Sequence, residues 1–136
     1  MNKKNKTIEE SYLKHIDNER NKRKSNQLPS SYSNPESIDA WRHDRMRKNI
    51  SPFLDFFPNT KWITLGDGNF GSDAFYLQNK NLDVLATSIS DETLSVAHDL
   101  GYIQKYKKIN AENILEKDSS FDFVFCKEAF HHFPRP

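Results

Sequence analysis

Apolar residues recur at helical spacing through the first 60 positions and then contract into strand-length runs, and this change of period divides the chain. In TIEESYLKHIDNE, residues 7–19, the side chains of Ile8, Tyr12, Leu13 and Ile16 share one helical face, and Thr7 with Glu10 has the form of a capping box. The next segment, RNKRKSNQLPSSYSNP, is rich in charge, Ser and Pro, offers little to bury, and reads as a linker. In residues 36–60, Ile38, Trp41 and Arg45 fall at helical spacing with Met46 near their face. Ser51-Pro52 has the form of an N-cap followed by proline at the first helical position. Phe53, Leu54, Phe56 and Phe57 then make a short apolar turn that Pro58-Asn59 stops. These helices are expected to pack on the following sheet or close over a pocket at its edge, with Trp41 and Phe53 in the core.

From Lys61 onward strand and helix signals alternate. Trp62-Ile63-Thr64-Leu65 reads as a strand, SDAFYLQNK as a helix and DVLATS as a second strand. SDETLSVAHDLG reads as a helix, with Ser90 as cap, Asp91 and Glu92 favourable in its first turn, and Gly101 at its end. YKKIN is a weaker third strand and FDFVFCK a clear fourth. Such alternation predicts an α/β fold, a parallel sheet with helices on both faces. The expected organisation is a polar, partly disordered leader over 1–35, a helical segment over 36–60 that flanks the sheet, and the α/β unit over 61–136.

Charge sharpens this division without naming a partner. Residues 1–50 carry twelve Lys/Arg against seven Asp/Glu, and residues 51–136 carry eight against twelve, so the chain's net +1 hides a basic arm before an acidic body. Neither nucleic acid nor a membrane surface is demanded by that balance, and no stretch approaches the roughly 20 apolar residues of a membrane span. The single Cys126 cannot form an internal disulfide, the start MNKKNKTIEE lacks the apolar run of a signal peptide, and a reducing, cytoplasmic setting is the default expectation.

The chemistry concentrates in LGDGNFG. Gly66, Gly68 and Gly71 spell G-x-G-x-x-G between a strand and a helix, where backbone approaches a ligand closely and helix amides point at it. That spacing alone fits a nicotinamide or flavin dinucleotide as well as an adenosyl cofactor. Either site usually ends its second strand with an acid for the ribose hydroxyls, about 20 residues on. Ser88 stands there instead, 22 residues after Gly66, with Asp91 three further on. Downstream, Asn110-Ala111-Glu112, Phe121-Asp122-Phe123-Val124 and Glu128-Ala129-Phe130-His131-His132-Phe133 follow in order. Read together, these elements resemble the class I S-adenosylmethionine-dependent methyltransferases, especially their small-molecule branch.

The resemblance implies a Rossmann-like three-layer sandwich with strands in the order 3-2-1-4, preceded by N-terminal helices, and a family core cut after its fourth strand. It places Gly66, Asp67, Gly68 and Gly71 around the methionine part of S-adenosylmethionine, with Asp67 in range of its ammonium group. Ser88 would face the ribose, Asn110 the adenine amino group, and the backbone of Ala111 and Glu112 the ring edge. Carbonyls of Cys126 or Lys127 would reach the amino end. One hydroxyl at Ser88 is a weaker partner for a diol than a carboxylate, which predicts lower affinity or a compensating group such as Asp91. His131 and His132 are weak candidates for a substrate-side base, and no metal site is expected. The acceptor is expected to be a small molecule or glycan precursor, with self-association through an exposed edge at strand four. A nicotinamide-dependent oxidoreductase and a non-catalytic remnant serving as a binding module are the alternatives.

Overall fold

The computed structural model describes residues 3–25 and 28–135, with nothing to be said of the side chains of residues 3–6. Four helices come first: α1 (Lys3–Ser25), α2 (Ser30–Ser33), α3 (Ile38–Lys48) and α4 (Ser51–Phe56). They lead into β1 (Lys61–Thr64), α5 (Ser72–Gln78), β2 (Asp83–Ser88), α6 (Glu92–Asp99), β3 (Tyr106–Lys108) and β4 (Phe123–Phe125), followed by a 3-10 turn at Phe130–His132. The strands form one parallel sheet in the order β3-β2-β1-β4. This is the Rossmann-like α/β fold and the strand order that the sequence led us to expect.

Right-handed crossovers put α5 and α6 on the same face of the sheet. Phe70, Ala74, Leu77, Leu94, Ala97 and Ile103 accordingly form one buried cluster with Trp62, Val84 and Ala86. The strand residues of that cluster alternate, so their odd partners face away. On the far side of β1, Trp62 pairs with Phe123 and the two rings stack with centroids 4.5 Å apart. Phe53 and Phe57 bring their rings to 6.1 and 5.6 Å from Phe123, which docks α4 on that edge. The link from β3 to β4 holds turns and an Asn110–Asn113 bridge and, among the described residues, no helix. Val124, the register partner of Ile63 on the opposite face, is 60% exposed.

The N-terminal region departs from its reading in several places. α1 covers most of the predicted leader and runs into the predicted linker as far as Ser25, and residues 26–27 of that linker lie outside the described residues. Thr7 therefore falls inside α1, so the capping box does not start it. Residues 20–25 are mostly Arg and Lys, good helix formers, and Arg20 and Arg23 pair with Glu92 of α6 at 3.0 and 3.7 Å. Nor is the rest of the linker without anything to bury: Tyr32 stacks on Tyr102 at 4.1 Å and meets Phe75 edge-on at 4.8 Å. In α3 the apolar stripe is not the buried one. Ile38 and Trp41, like Phe53 of α4, are substantially exposed, while Ala40 and Arg47 lie inside, and Arg47 meets a buried acid there. Ile50, not Ser51, precedes the first turn of α4, with Pro52 inside that turn. Asp91 occupies the cap position of α6, and Ser90 Oγ accepts from Glu92 N at 3.3 Å.

Candidate functional site

The turn from β1 to α5 is held from beneath by hydrogen bonds. Asp67 N donates to Thr87 O at 2.9 Å, Thr93 Oγ1 to Gly68 O at 3.0 Å, and Thr87 Oγ1 to Thr64 O. The turn is thus fixed to both β2 and α6. Gly66 has φ +72°, and a Cβ there would strike Ala129 Cβ of the loop after β4. A side chain at Gly68 would strike the carboxylate of Glu19 and come within 3.0 Å of Ser88 Oγ. Gly66 is therefore required by close approach as well as by the turn, whereas a Cβ at Gly68 would displace the end of the Glu19 side chain. Gly71 does a different job: it packs on Ile103 and Leu94 and lies away from the cavities described below.

Asp67 turns its carboxylate away from the open side of the turn. It accepts from Ala74 N at 2.9 Å, Asp73 N at 3.2 Å and Thr64 Oγ1 at 3.1 Å, capping the first turn of α5. Burial, followed by the neighbouring Asp73 carboxylate, pushes its acid group well above the usual carboxylate range. Asp73 is itself held by Arg47, with Nε at 2.8 Å and Nη2 at 2.7 Å from Oδ1, and Arg47 Nη2 also donates to Ser72 Oγ at 3.1 Å. The expectation that Asp67 serves an ammonium group thus meets a carboxylate already engaged as a helix cap.

At the end of β2, Ser88 is 2% exposed and donates its hydroxyl to Glu19 Oε1. Glu19 comes from α1 and is 8% exposed, and its second oxygen, Oε2, is buried without a partner. Burial raises its carboxyl to about 7, against the Ser88 hydrogen bond and Lys22, with Glu92 and Asp91 adding to the rise. Asp91, the compensating acid expected from sequence, is exposed and lines neither cavity.

Two cavities meet at this point. The smaller, about 80 Å³, is walled by Ile89, Ile109, Asn110, Ala111, Phe133 and Pro134. The larger, a cleft of about 580 Å³, is walled by polar groups that include Asn69, Asp73, His43, Lys127 and Glu128. Gly66, Glu19, His15, Ala129 and His132 belong to both. Of the residues expected at the site, the structure brings Gly66, Asp67, Gly68, Ser88, Asn110, Ala111, Lys127 and His132 to these cavities. Glu112, Cys126 and His131 are not in the walls. Asn110 Oδ1 accepts from Glu112 N at 3.0 Å, and the Glu112 side chain braces Tyr12 of α1 and Arg135 instead. Lys127 extends its Nζ to 2.8 Å from His43 Nδ1 and 3.5 Å from Asp73. Burial, then Lys127 and Arg42, pull His43 below its ordinary value and leave it neutral near pH 7. Burial, then His131, His15 and Lys22, do the same for His132. No group of His, Cys, Asp and Glu that could hold a metal occurs among the described residues.

Sequence reading missed Glu19 and Arg47, and it took His43 for part of a solvated helix face, whereas His43 lines the cleft. A signal for Glu19 was present, since it continues the Tyr12–Ile16 stripe by three positions and so follows the face that α1 turns inward.

The family model of a methyltransferase domain matches residues 63–136, more than half of the chain. The chain belongs to that class I methyltransferase family. No curated protein and no solved structure gives a significant match. The methyltransferase-domain match begins on β1 and takes in the glycine turn, Ser88, the Asn110 turn and the His131-His132 loop. Among the described residues no helix is long and apolar enough to cross a membrane. Members of this family generally bind S-adenosylmethionine, and the residues of this methyltransferase domain fit such a group. The backbone at Gly66 lies where no Cβ has room, apolar and polar cavities open on either side, and Glu19, with one unpartnered carboxylate oxygen, lines both.

Proposed function

We propose that this chain binds S-adenosylmethionine across the two cavities and transfers its methyl group to a small polar molecule or glycan precursor. One observation carries the reading: an apolar and a polar cavity meet over the Gly66–Gly68 backbone, at the strand ends where an open α/β sheet receives its ligands. The Ile89, Ile109 and Ala111 side suits a flat aromatic base, and the amide of Asn110 lies in the same wall. The polar cleft suits the charged amino-acid end and an acceptor beside it. When bound, S-adenosylmethionine supplies an electrophilic methyl on a sulfonium, and the transfer forms one bond to the acceptor atom as the carbon–sulfur bond breaks. What remains for the protein is to align the acceptor and, where that atom carries a proton, to take it up. His43 and His132, both in the cleft wall and both held neutral, are the groups able to accept it.

The nicotinamide reading has no observation in its favour beyond the glycine spacing. The test is a calorimetric titration of the chain with S-adenosylhomocysteine, with NAD as control, followed by transfer of labelled methyl to a panel of hydroxylated and aminated small molecules. Saturable binding of adenosylhomocysteine alone, with label in at least one acceptor, is the expected result. Binding of NAD alone, or of neither ligand to a folded chain, overturns the proposal. Cofactor binding with no label in any acceptor would favour a binding module.

A further inference from the structure

α1 is a polar helix, and among its residues with described burial Glu19 is the only buried one. Of its apolar stripe, Ile8, Tyr12 and Ile16 are half-buried and Leu13 is 56% exposed, so none is fully inside. Besides an edge-on contact of the His15 ring with His132 at 4.9 Å, it has polar attachments to three parts of the fold. Tyr12 donates to Glu112 in the β3–β4 link, Arg20 Nε meets Glu92 of α6 at 3.0 Å, and Glu19 accepts from Ser88 between them. A helix anchored on both sides of one buried carboxylate delivers that carboxylate. It delivers it to the end of β2, where the sequence has a hydroxyl in place of an acid, and against the glycine turn, where a Cβ on Gly68 would collide with it.

We propose that Glu19 is the ribose-recognising carboxylate of the cofactor site, supplied by α1 across the mouth of the site because Ser88 ends β2 without one. The assignment rests on the S-adenosylmethionine reading above. A vicinal diol offers two hydroxyl donors. Glu19 Oε1 already accepts from Ser88, and Oε2 is buried without a partner on a residue that lines both cavities. Ligand hydroxyls would satisfy that oxygen and stabilise the charged form. The charged and titratable groups facing Glu19 are Lys22 on its own helix, Asp91 and Glu92 at the start of α6, and His15 and His132 in the shared cavity wall. α1 thereby becomes part of the binding site, which closes over the ribose only while the helix is docked.

The experiment measures dissociation constants of the full chain, by calorimetry, for S-adenosylhomocysteine and for its analogue lacking both ribose hydroxyls. Wild type, Glu19→Gln, Glu19→Ala and the double variant Glu19→Gln with Ser88→Asp are compared, each checked for a cooperative thermal transition. Both single variants should weaken adenosylhomocysteine roughly ten- to a hundredfold, the worth of a charge-assisted hydrogen bond, and leave the dihydroxyl-free analogue unchanged. The double variant should recover affinity, since it returns the acid to β2. Equal weakening of both ligands would mark Glu19 as a structural strap, and tighter binding by Glu19→Ala would mark it as a plug. Either result overturns the assignment, as does loss without recovery in the double variant. A folded wild type that does not bind adenosylhomocysteine overturns the S-adenosylmethionine reading and this assignment together. Binding that ignores residue 19 overturns this one alone.

Discussion

The glycine turn is flanked by two helices that each bring an acid to it, and the two acids are treated in opposite ways. On the α5 side every oxygen of Asp67 and the paired oxygen of Asp73 has a donor: two backbone amides, Thr64, and the guanidinium of Arg47. On the α1 side Glu19 has one donor for two oxygens. A satisfied network rigidifies, and a half-satisfied one costs stability until something completes it. The α5 side is therefore the frame of the site. The α1 side holds a deficit that a ligand with two hydroxyls removes, and its folding penalty becomes binding specificity.

Removing Arg47 should break this comparison most severely. Arg47 is 4% exposed and Asp73 6%, and without the guanidinium two buried carboxylates face each other with only Lys127, at 3.5 Å, left to offset them. Breaking a buried pair by deleting one partner costs about 3–5 kcal/mol. Arg47→Ala should lower the unfolding free energy read by urea titration by that amount, and Arg47→Lys should recover only part of it, because an ammonium cannot span Asp73 and Ser72 as the planar fork does. A loss below about 1 kcal/mol would show the α5 network to be screened by water and no firmer than the α1 side.

Glu19→Gln should act in the reverse direction. A carboxyl raised from 4.5 to about 7 by folding binds more protons folded than unfolded, so its penalty is absent below the unfolded value and complete above about 7. The neutral amide still accepts from Ser88 and escapes that penalty. Thermal or urea unfolding should find the variant more stable than wild type by about 3 kcal/mol at pH 8, with the gain shrinking to nothing as pH falls through 7 to 4.5. Asp67, pushed upward by burial and by Asp73, adds a drift of the same sign in both proteins. A gain independent of pH would mean that folding does not shift the Glu19 carboxyl. The same substitution is expected to weaken adenosylhomocysteine, so stability and ligand affinity should move apart at one residue.

The unequal legibility of the two sides has a physical cause. β2 was readable to the residue as DVLATS because its pattern is local, whereas the sheet order was implied by the family resemblance. The Gly66–Gly68 turn, too, announces itself because its requirement, backbone without side chain, is written at the positions concerned. Glu19 and Arg47 answer to partners 69 and 26 residues away, so nothing adjacent to them in the chain reports their burial. An Arg on a helix with Ile38 and Trp41 looks like the solvated face, yet those two are 85% and 57% exposed and the Arg is inside. Asp67 misleads for a related reason. An acid between two glycines suits a cationic ligand group as well as it suits a helix cap, and only the positions of the Asp73 and Ala74 amides decide where its oxygens point.

The smallest expected effect separates frame from deficit most cleanly. Tyr32 donates its hydroxyl to Phe70 O at 2.7 Å, tying α2 to the end of the glycine turn where Phe70 has φ +56°. Tyr32→Phe removes one neutral hydrogen bond and keeps the ring stacked on Tyr102, which should cost about 1 kcal/mol. Burial, followed by the Asp67 carboxylate, drives the phenol far above its ordinary value, so it stays protonated throughout the range where Glu19 titrates. The loss should therefore be the same at pH 5 and pH 8, and the same with and without adenosylhomocysteine, when read by urea unfolding. A loss that changed with pH in step with that of Glu19→Gln would tie Phe70 and its turn to the α1 carboxylate, and the two sides would then be one network.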